Sequence, residues 1–279
     1  MSKNARVRLE SALDLHRRLP PDMVERNLSN MIDLAPDLTE DLLERVDQPL
    51  RLMRDEDKER DFLLCDYNRD GDSYRSPWSD KYFPAIPDGL QISELLRKVE
   101  IEFNEVFNQY RELYYDGGIS SVYLWEISAE SGFAGAVLFK KAGDGSQNIP
   151  GSWDSIHVFE VIEKADGFNY RLTTTVMLWL QTKSESSGLL SLGGSLQRQT
   201  EKFISGVKVP EHILEIGKMV EDIENKVRNS LNDVYFDKTR AIVSVLRTQT
   251  PINERIKNRQ QLAAELTQRL DRLNSQPDG

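Results

Sequence analysis

The sequence predicts an α+β fold built on an antiparallel sheet of five strands, with helices before and after it in the chain. Between residues 118 and 205, stretches rich in β-branched and aromatic residues alternate with turn sequences such as "AGDGS" and "ADGF". Short connections of this kind favour an antiparallel meander. On either side, apolar residues recur every three or four positions, which indicates amphipathic helices that need a partner surface.

Composition limits the class of protein. The 279 residues include 36 basic and 46 acidic side chains, a net charge of −10, which argues against a nucleic-acid-binding protein. Cys65 is the single cysteine, so the chain has no internal disulfide. The sequence has no apolar leader and no long apolar span, and we therefore expect a cytoplasmic protein without membrane insertion.

Residues 1–50 are predicted to form an N-terminal helical stalk. "RVRLESALDLHRRL" places Leu9 and Leu13 on one helical face, and a proline pair then interrupts the pattern. "LTEDLLERV" follows, with Thr39 as a candidate N-cap. Helices this short are marginal alone, so we expect them to pack on one another.

Residues 51–92 are rich in proline and are interpreted as an irregular globule. Within them, the segment from Asp66 to Asp72, "DYNRDGD", begins like the calcium loop of an EF-hand. The twelfth position of that loop should supply a bidentate Glu, but here it is Pro77. We therefore favour a structural turn, with Gly71 at positive φ, over a calcium-regulated binding module.

Residues 93–205 combine a helix with the sheet. The helix is predicted to start at an N-cap, Ser93, and to stop near Gly117. Its apolar stripe is expected to comprise Leu95, Leu96, Val99, Phe103, Val106, Phe107, Tyr110 and Leu113. Residues 206–247 are predicted to form a long helix that crosses the sheet.

Residues 248–279 predict a C-terminal amphipathic helix after a proline break. It carries Leu262, Leu266 and Leu270 on one face. From Arg240 to Gly279 the sequence has seven basic and four acidic residues, a net charge of +3 on an otherwise acidic chain. This pattern is typical of a detachable binding element, and equally of a terminal helix docked on its own protein.

The residue types do not indicate an enzyme or a cofactor site. "WDSIHV" brings Ser155 and His157 to one face of a predicted strand, but Asp154 to the other, so this stretch alone cannot form a catalytic triad. An interaction protein is the better class. Five basic residues are candidates for a shared basic patch, although each alone is typical of a solvated surface charge: Lys140, Lys141, Lys183, Lys226 and Arg228.

Several long phrases resemble a known family. "NLSNMIDLAPDLTEDLLERVDQPL", "LLCDYNRDGDSYRSPWSDKY", "GFAGAVLFKKAGDG", "WDSIHVFEV" and "ENKVRNSLNDVYFDKTRAIVSVLR" are similar to the beta subunit of heterodimeric F-actin capping protein, over about residues 8–247. The resemblance implies a pseudo-twofold heterodimer with a homologous alpha subunit, whose sheet joins this one. It also implies that the heterodimer caps the barbed end of the actin filament, independently of calcium. The rival interpretation is a scaffold that only dimerises.

The resemblance also assigns roles to residues. It implies that a basic surface shared by both subunits binds acidic actin. Four residues occupy positions that match basic positions of the family: Lys140, Lys141, Lys226 and Arg228. Lys183 lies one residue away from a further basic position of the family. The amphipathic tail, called a tentacle in the family, is expected to insert Leu262, Leu266 and Leu270 into a hydrophobic groove on actin. CARMIL-type and myotrophin-like proteins and phosphoinositides are the regulators that the family suggests.

Overall fold

The computed structural model describes residues 3–127, 131–143, 151–184, 188–206 and 212–233, together with residues 257, 260, 261, 263 and 264. The chain divides into two compact units, Met1–Val227 and Arg228–Gly279. In the part of the chain that the structure describes, no helix is long and apolar enough to cross a membrane.

Three N-terminal helices share an apolar core, as the sequence predicts. They are α1 (Lys3–Arg18), α2 (Val24–Leu34) and α3 (Thr39–Arg45), with 3-10 turns at Pro21–Met23 and Pro36–Leu38. The buried residues of this core are Leu9, Leu13, Leu28, Met31, Leu38 and Leu42. Thr39 is not the N-cap that we predicted, because it is already helical and its hydroxyl donates to the carbonyl oxygen of Pro36 (2.7 Å).

Two small sheets lie in the segment that we expected to be irregular. The first is a hairpin of β1 (Arg51–Asp55) and β2 (Arg60–Leu64), and the second contains β3 (Arg69–Asp70), β4 (Ser73–Arg75) and β5 (Tyr82–Phe83). Charged residues interrupt the apolar alternation of the hairpin, and β3 and β5 have two residues each, so neither sheet has the usual sequence pattern.

The acid-rich segment from Asp66 to Asp72 is a structural turn, as we favoured. The side chain of Asn68 accepts a hydrogen bond from the main-chain N–H of Cys65 (3.0 Å) and donates one to the carbonyl oxygen of Arg75 (2.9 Å). Gly71 has a φ of +60° in the tight loop between β3 and β4, where a side chain would be strained.

Helix α4 (Glu94–Tyr114) begins and ends as predicted. The hydroxyl of Ser93 accepts a hydrogen bond from the N–H of Leu96 (3.3 Å), and Gly117 follows the helix with a φ of +67°. Its buried stripe is narrower than predicted. Three of the predicted apolar positions are exposed instead: Leu95, Val106 and Leu113.

The five predicted strands form one antiparallel meander. They are β6 (Ile119–Glu126), β7 (Gly132–Ala142), β8 (Gly151–Lys164), β9 (Gly167–Ser184) and β10 (Gly188–Ser205), and sequence neighbours are also neighbours in the sheet. β6 and β10 are therefore the two edges. The pairing of β9 with β10 continues without a bulge from one end to the other.

Helix α5 (His212–Asn232) lies within the predicted long helix, and residues 234–247 of that prediction fall outside the described residues. Helices α4 and α5 pack on one face of the sheet, which we call the helical face. The opposite face, the stalk face, packs against Leu50 and Leu63, and the edge formed by β9 and β10 contacts α1 and the Pro21–Met23 turn.

A buried ion-pair network joins the small sheets to α4 and β6. Arg75 makes a bidentate pair with Glu100 (2.8 and 2.7 Å) and a further pair with Asp80 (2.6 Å). Glu100 also accepts a hydrogen bond from the N–H of Leu124 (2.7 Å). Burial alone lowers the pKa of Arg75, but the hydrogen bonds and charge of Glu100 raise it above its ordinary value. The guanidinium therefore stays charged inside the protein.

Candidate functional site

The two lysines at the end of β7 point to opposite faces of the sheet. On this strand, Val137 and Phe139 belong to the core of the helical face, and Leu138 to that of the stalk face. By the same alternation Lys140 lies on the stalk face and Lys141 on the helical face. The structure thus does not bring these neighbours into one patch, although sequence analysis treated them together.

Lys140 is bound within its own chain. Its ammonium lies 2.8 Å from Oδ1 of Asp154 on β8 and 3.1 Å from Oγ of Ser152. Asp154 is buried and also accepts the main-chain N–H of Leu50 (2.8 Å). The charge of Lys140 is therefore matched by a buried carboxylate, and the pair fastens the segment before β1 to the sheet.

Lys141 is half-buried at the border of the helical face. Its ammonium donates to the main-chain carbonyl oxygen of Asp116, just after the end of α4. A carbonyl oxygen carries no formal charge, so this contact orients the lysine without neutralising it. Of the two neighbouring lysines, Lys141 retains the charge needed to attract an acidic partner.

Lys226 is exposed and lines a groove of about 360 Å³ between α5 and the edge strand β10. We call it the basic groove, because its lining includes four basic and two acidic side chains: Arg198, Lys202, Lys218, Lys226, Glu201 and Asp222. The sequence pattern indicated only Lys226 among them. The spacing of Lys218 and Lys226 at i and i+8 on one helix was the signal that could have extended the prediction.

One carboxylate beside the basic groove holds two of its lysines. Lys218 and Lys202 both pair with Glu215, at 2.8 and 2.9 Å. The hydrogen bond from Lys218, followed by that from Lys202, lowers the pKa of Glu215. This arrangement ties α5 to the edge strand.

The remaining predicted site residues are only partly described. Lys183 lies in β9, but its side chain falls outside the described residues. Arg228 is half-exposed on α5, where the second compact unit begins. Leu262, Leu266 and Leu270 also lie outside the described residues. Their described neighbours, residues 257, 260, 261, 263 and 264, are helical and exposed.

The residues that resembled parts of a catalytic triad do not form one. His157 contacts Glu224 and Thr174 (3.0 and 2.8 Å), whereas Ser155 contacts Trp153 and Tyr115 (2.8 and 3.3 Å). Asp154 lies on the opposite face, as the strand pattern predicted.

Burial and the grouping of metal-ligating side chains limit the chemistry of the described residues. Ser155 and His157 have no exposed surface, so a substrate would not reach them. Over the residues whose placement is described, no three His, Cys, Asp or Glu side chains are grouped so that they could hold a metal ion.

Comparison with known proteins agrees with this fold. A family model described as F-actin capping protein, beta subunit, matches residues 9–243. The F-actin-capping protein subunit beta of Drosophila melanogaster is 56% identical over 268 residues, covering 94% of this chain and 96% of that protein. The same subunit of Caenorhabditis elegans is 52% identical over 240 residues, covering 86% and 88%.

A solved structure shares the fold at low sequence identity. The homodimeric actin capping protein alpha subunit from Plasmodium berghei superposes with a TM-score of 0.53 at 17% identity, covering 88% of this chain and 98% of that chain. At this identity the likeness concerns the fold alone. With a family model that matches most of its length and relatives more than half identical to it, this chain belongs to the F-actin capping protein beta-subunit family.

Proposed function

We propose that this chain is the beta subunit of a cytoplasmic heterodimer that binds the barbed ends of actin filaments and blocks the gain and loss of actin subunits. The observation that carries the proposal is the 56% identity with the Drosophila subunit over 96% of that protein. The proposed activity is binding alone, without catalysis, cofactor or calcium.

The proposed partner is an alpha subunit of the same fold. β10 is an edge strand of 18 residues, and β9 is its one neighbour among the described strands. Unpaired N–H and C=O groups along such an edge readily accept another strand. We infer that a strand of the alpha subunit pairs with β10. The basic groove would then lie beside the interface between the subunits, and the alpha subunit would extend the basic surface.

We infer two kinds of contact with actin. Lys141 and Lys226 on the helical side supply positive charge that attracts acidic actin and speeds encounter. Lys183 and Arg228 remain predicted members of the same surface, whereas the pairing of Lys140 with buried Asp154 supports a structural role.

The predicted tail supplies the second kind of contact. Leu262, Leu266 and Leu270 would bury an apolar stripe in a groove on actin and slow dissociation. The described tail residues support a helix, with Lys257, Gln260 and Gln261 exposed. Once the basic surface has bound actin, the tail contact forms within the same complex. Two contacts of modest affinity can therefore give tight binding together.

The experiment is actin elongation from seeded barbed ends in the presence of the purified heterodimer. We expect substoichiometric heterodimer to stop growth, and removal of residues 248–279 to weaken the block. A Leu266→Arg variant should dissociate faster, while Gln260→Arg adds the same charge at an exposed tail position and should not. Unchanged growth with a folded heterodimer would instead support a scaffold that only dimerises.

A further inference from the structure

Helix α5 carries a buried carboxylate on the side that faces the sheet. Glu224 has no exposed surface, although the neighbours that flank it on this side of the helix are apolar. One of its oxygens lies 3.0 Å from Nε2 of His157 on β8. The other accepts a hydrogen bond from the hydroxyl of Tyr115 at the end of α4 (2.7 Å). The proposed function does not use this group.

The chemistry of the partners fixes the direction of the hydrogen bonds to Glu224. An ionised carboxylate only accepts, so His157 must carry a proton on Nε2 and Tyr115 must donate. The indole N–H of Trp153 donates to Ser155 (2.8 Å), whose own hydroxyl proton is then available for the oxygen of Tyr115 (3.3 Å) or for the carboxylate of Glu224. Two chains of donors thus converge on the two oxygens of one carboxylate.

The charge of Glu224 persists in this buried position. Burial alone raises the pKa of its carboxyl, but the hydrogen bond and charge of His157, with the hydroxyls of Ser155 and Tyr115, lower it below its ordinary value. An ionised group with directional partners tolerates little displacement, because a buried charge without its hydrogen bonds is costly.

The other polar contacts of α5 with the sheet lie nearer its start: Tyr170 with His212, the first residue of the helix (2.6 Å), and Lys202 with the partly exposed Glu215 (2.9 Å). The remaining contacts lack this directionality. Ile216, Met219, Val220, Ile223 and Val227 are buried apolar side chains, and apolar burial is non-directional. Such contacts hold the helix on the sheet but resist small rotations and slides only weakly. The polar contacts of Glu224 therefore set the rotation and axial position of the part of α5 that carries Lys226, beyond the contacts of His212 and Glu215.

We propose that Glu224, held by His157 and Tyr115, is the positioning residue that sets the rotation of α5 on the sheet and thereby the place of Lys226 in the basic groove. This inference rests on the proposed function of Lys226. Two residues correspond to about 200° around a helix, so Lys226 lies on the side opposite Glu224 and turns with it. A rotation of about 20° moves a side chain on the helix surface by about 2 Å, enough to break an ion-pair contact.

The placement of α5 is tested without actin. Spin labels are attached through a non-canonical amino acid at residues 163 and 225, both exposed, so that cysteines of either subunit stay unlabelled. Pulsed electron paramagnetic resonance on the heterodimer then gives the distance between β8 and α5. We expect one narrow distance in the parent protein, and a distance shifted or broadened by about 2 Å in Glu224→Met, which keeps side-chain length but removes both acceptors.

Three further variants separate positioning from stability. Met219→Leu changes another buried, sheet-facing residue of α5 and should keep the parent distance. Tyr115→Phe removes the hydrogen bond from Tyr115 but leaves that from His157, and we expect a smaller change than with Glu224→Met. In Glu224→Gln the amide oxygen can accept a hydrogen bond from Tyr115, and the amide N–H can donate to His157 if His157 adopts its other tautomer. The distance between the spin labels should therefore be close to that of the parent protein. A parent-like distance in Glu224→Met would overturn the proposal.

A capping measurement tests the link to Lys226. We expect Glu224→Met to weaken barbed-end affinity about threefold to tenfold, and to add little in a Lys226→Ala background, because both changes remove the same contact. Equal losses in both backgrounds would overturn the link. Failure of the parent heterodimer to cap would reject the proposed function instead, and the spin-label distances would still decide whether Glu224 positions α5.

Discussion

Glu100 shows how one buried carboxylate holds three parts of the fold together. Its two oxygens take the bidentate contact of Arg75 from β4 and the main-chain N–H of Leu124 from β6, while its own backbone is part of α4. Both charged side chains are nearly inaccessible to water. Removal of Glu100 would leave Arg75 paired with Asp80, and removal of Arg75 would leave Glu100 paired with Arg97, so either change leaves a buried charge that is only partly compensated.

We therefore predict that Glu100→Gln lowers the free energy of unfolding by about 3 kcal/mol, because Arg75 would remain buried with one neutral partner in place of a carboxylate. Urea unfolding of the purified protein measures the change. Glu102→Gln makes the same substitution at an exposed position of α4 and should change stability by less than about 0.5 kcal/mol. Equal effects of the two variants would contradict the role given to Glu100.

Cys65 gives a second prediction for a single side chain. Burial is the main cause that raises the pKa of its thiol to about 12. Because the thiolate is the reactive form, we expect almost no alkylation of Cys65 by iodoacetamide at pH 8 in the folded protein, and full alkylation in denaturant. Mass spectrometry of the alkylated protein measures this. Cys65 is only partly buried, so rapid alkylation of the native protein would show that its thiol ionises more readily than this pKa implies.

The lysines at the end of β7 illustrate what a sequence can and cannot reveal about a site. Their opposite orientations follow from the alternation of side chains along a strand, so this separation was predictable. The pairing of Lys140 with Asp154 was not, because it depends on the register between β7 and β8. The buried role of Glu224 had a signal, since it interrupts an apolar stripe between Ile223 and Val227.

At the scale of elements, local signals predicted the parts of the fold that depend on local chemistry. The N-cap of α4, the glycine after it and all five strands of the meander were predicted, because each has its own residue pattern. The two small sheets were missed, since their strands are stabilised by the rest of the protein. The exposed face of α4 was also missed, because the pattern shows which residues are apolar but not how wide the contact is.

The approach of the stalk to β10 depends on a glycine. A Cβ at Gly193 would lie 3.1 Å from Cδ of Pro21 and 3.2 Å from Cα of Pro20. We predict that Gly193→Val destabilises the protein by about 2 kcal/mol, since the rigid proline pair cannot yield easily. In contrast, a Cβ at Gly217 on α5 meets no atom within 4 Å, so Gly217→Ala should stabilise the protein by about 1 kcal/mol. Thermal unfolding of both variants provides the comparison, and a neutral Gly193→Val would show that the stalk can move away.

At the scale of the whole molecule, the two faces of the sheet differ in their tasks. The stalk face is covered by residues that precede α4, among them Leu50 and Leu63, and Lys140 is used there for internal pairing. The helical face carries Lys141 and the helix that bears Lys226. A surface that attracts actin by charge would therefore belong to the helical side of the molecule.

This division predicts an effect of salt on association. We expect Lys141→Glu in the heterodimer to slow association with barbed ends at low ionic strength, and the difference from the parent to shrink as salt screens the charges. Lys58→Glu is the matched control, because it makes the same change at an exposed position of the β1–β2 hairpin, which packs on the stalk face. Association rates from seeded elongation measure the effect. The same slowing by both variants would argue against a directed surface.

The outer edge of β10 has a consequence for how cells must produce this protein. Among the described strands the outer edge of β10 has no partner, so a newly made chain without its counterpart would present a long row of backbone groups beside the half-exposed Phe203, and such edges promote aggregation and degradation. Any surplus of one subunit would be lost rather than stored. The scarcer of the two gene products would then set the cell's capacity to close filament ends, which makes matched synthesis a requirement of the fold.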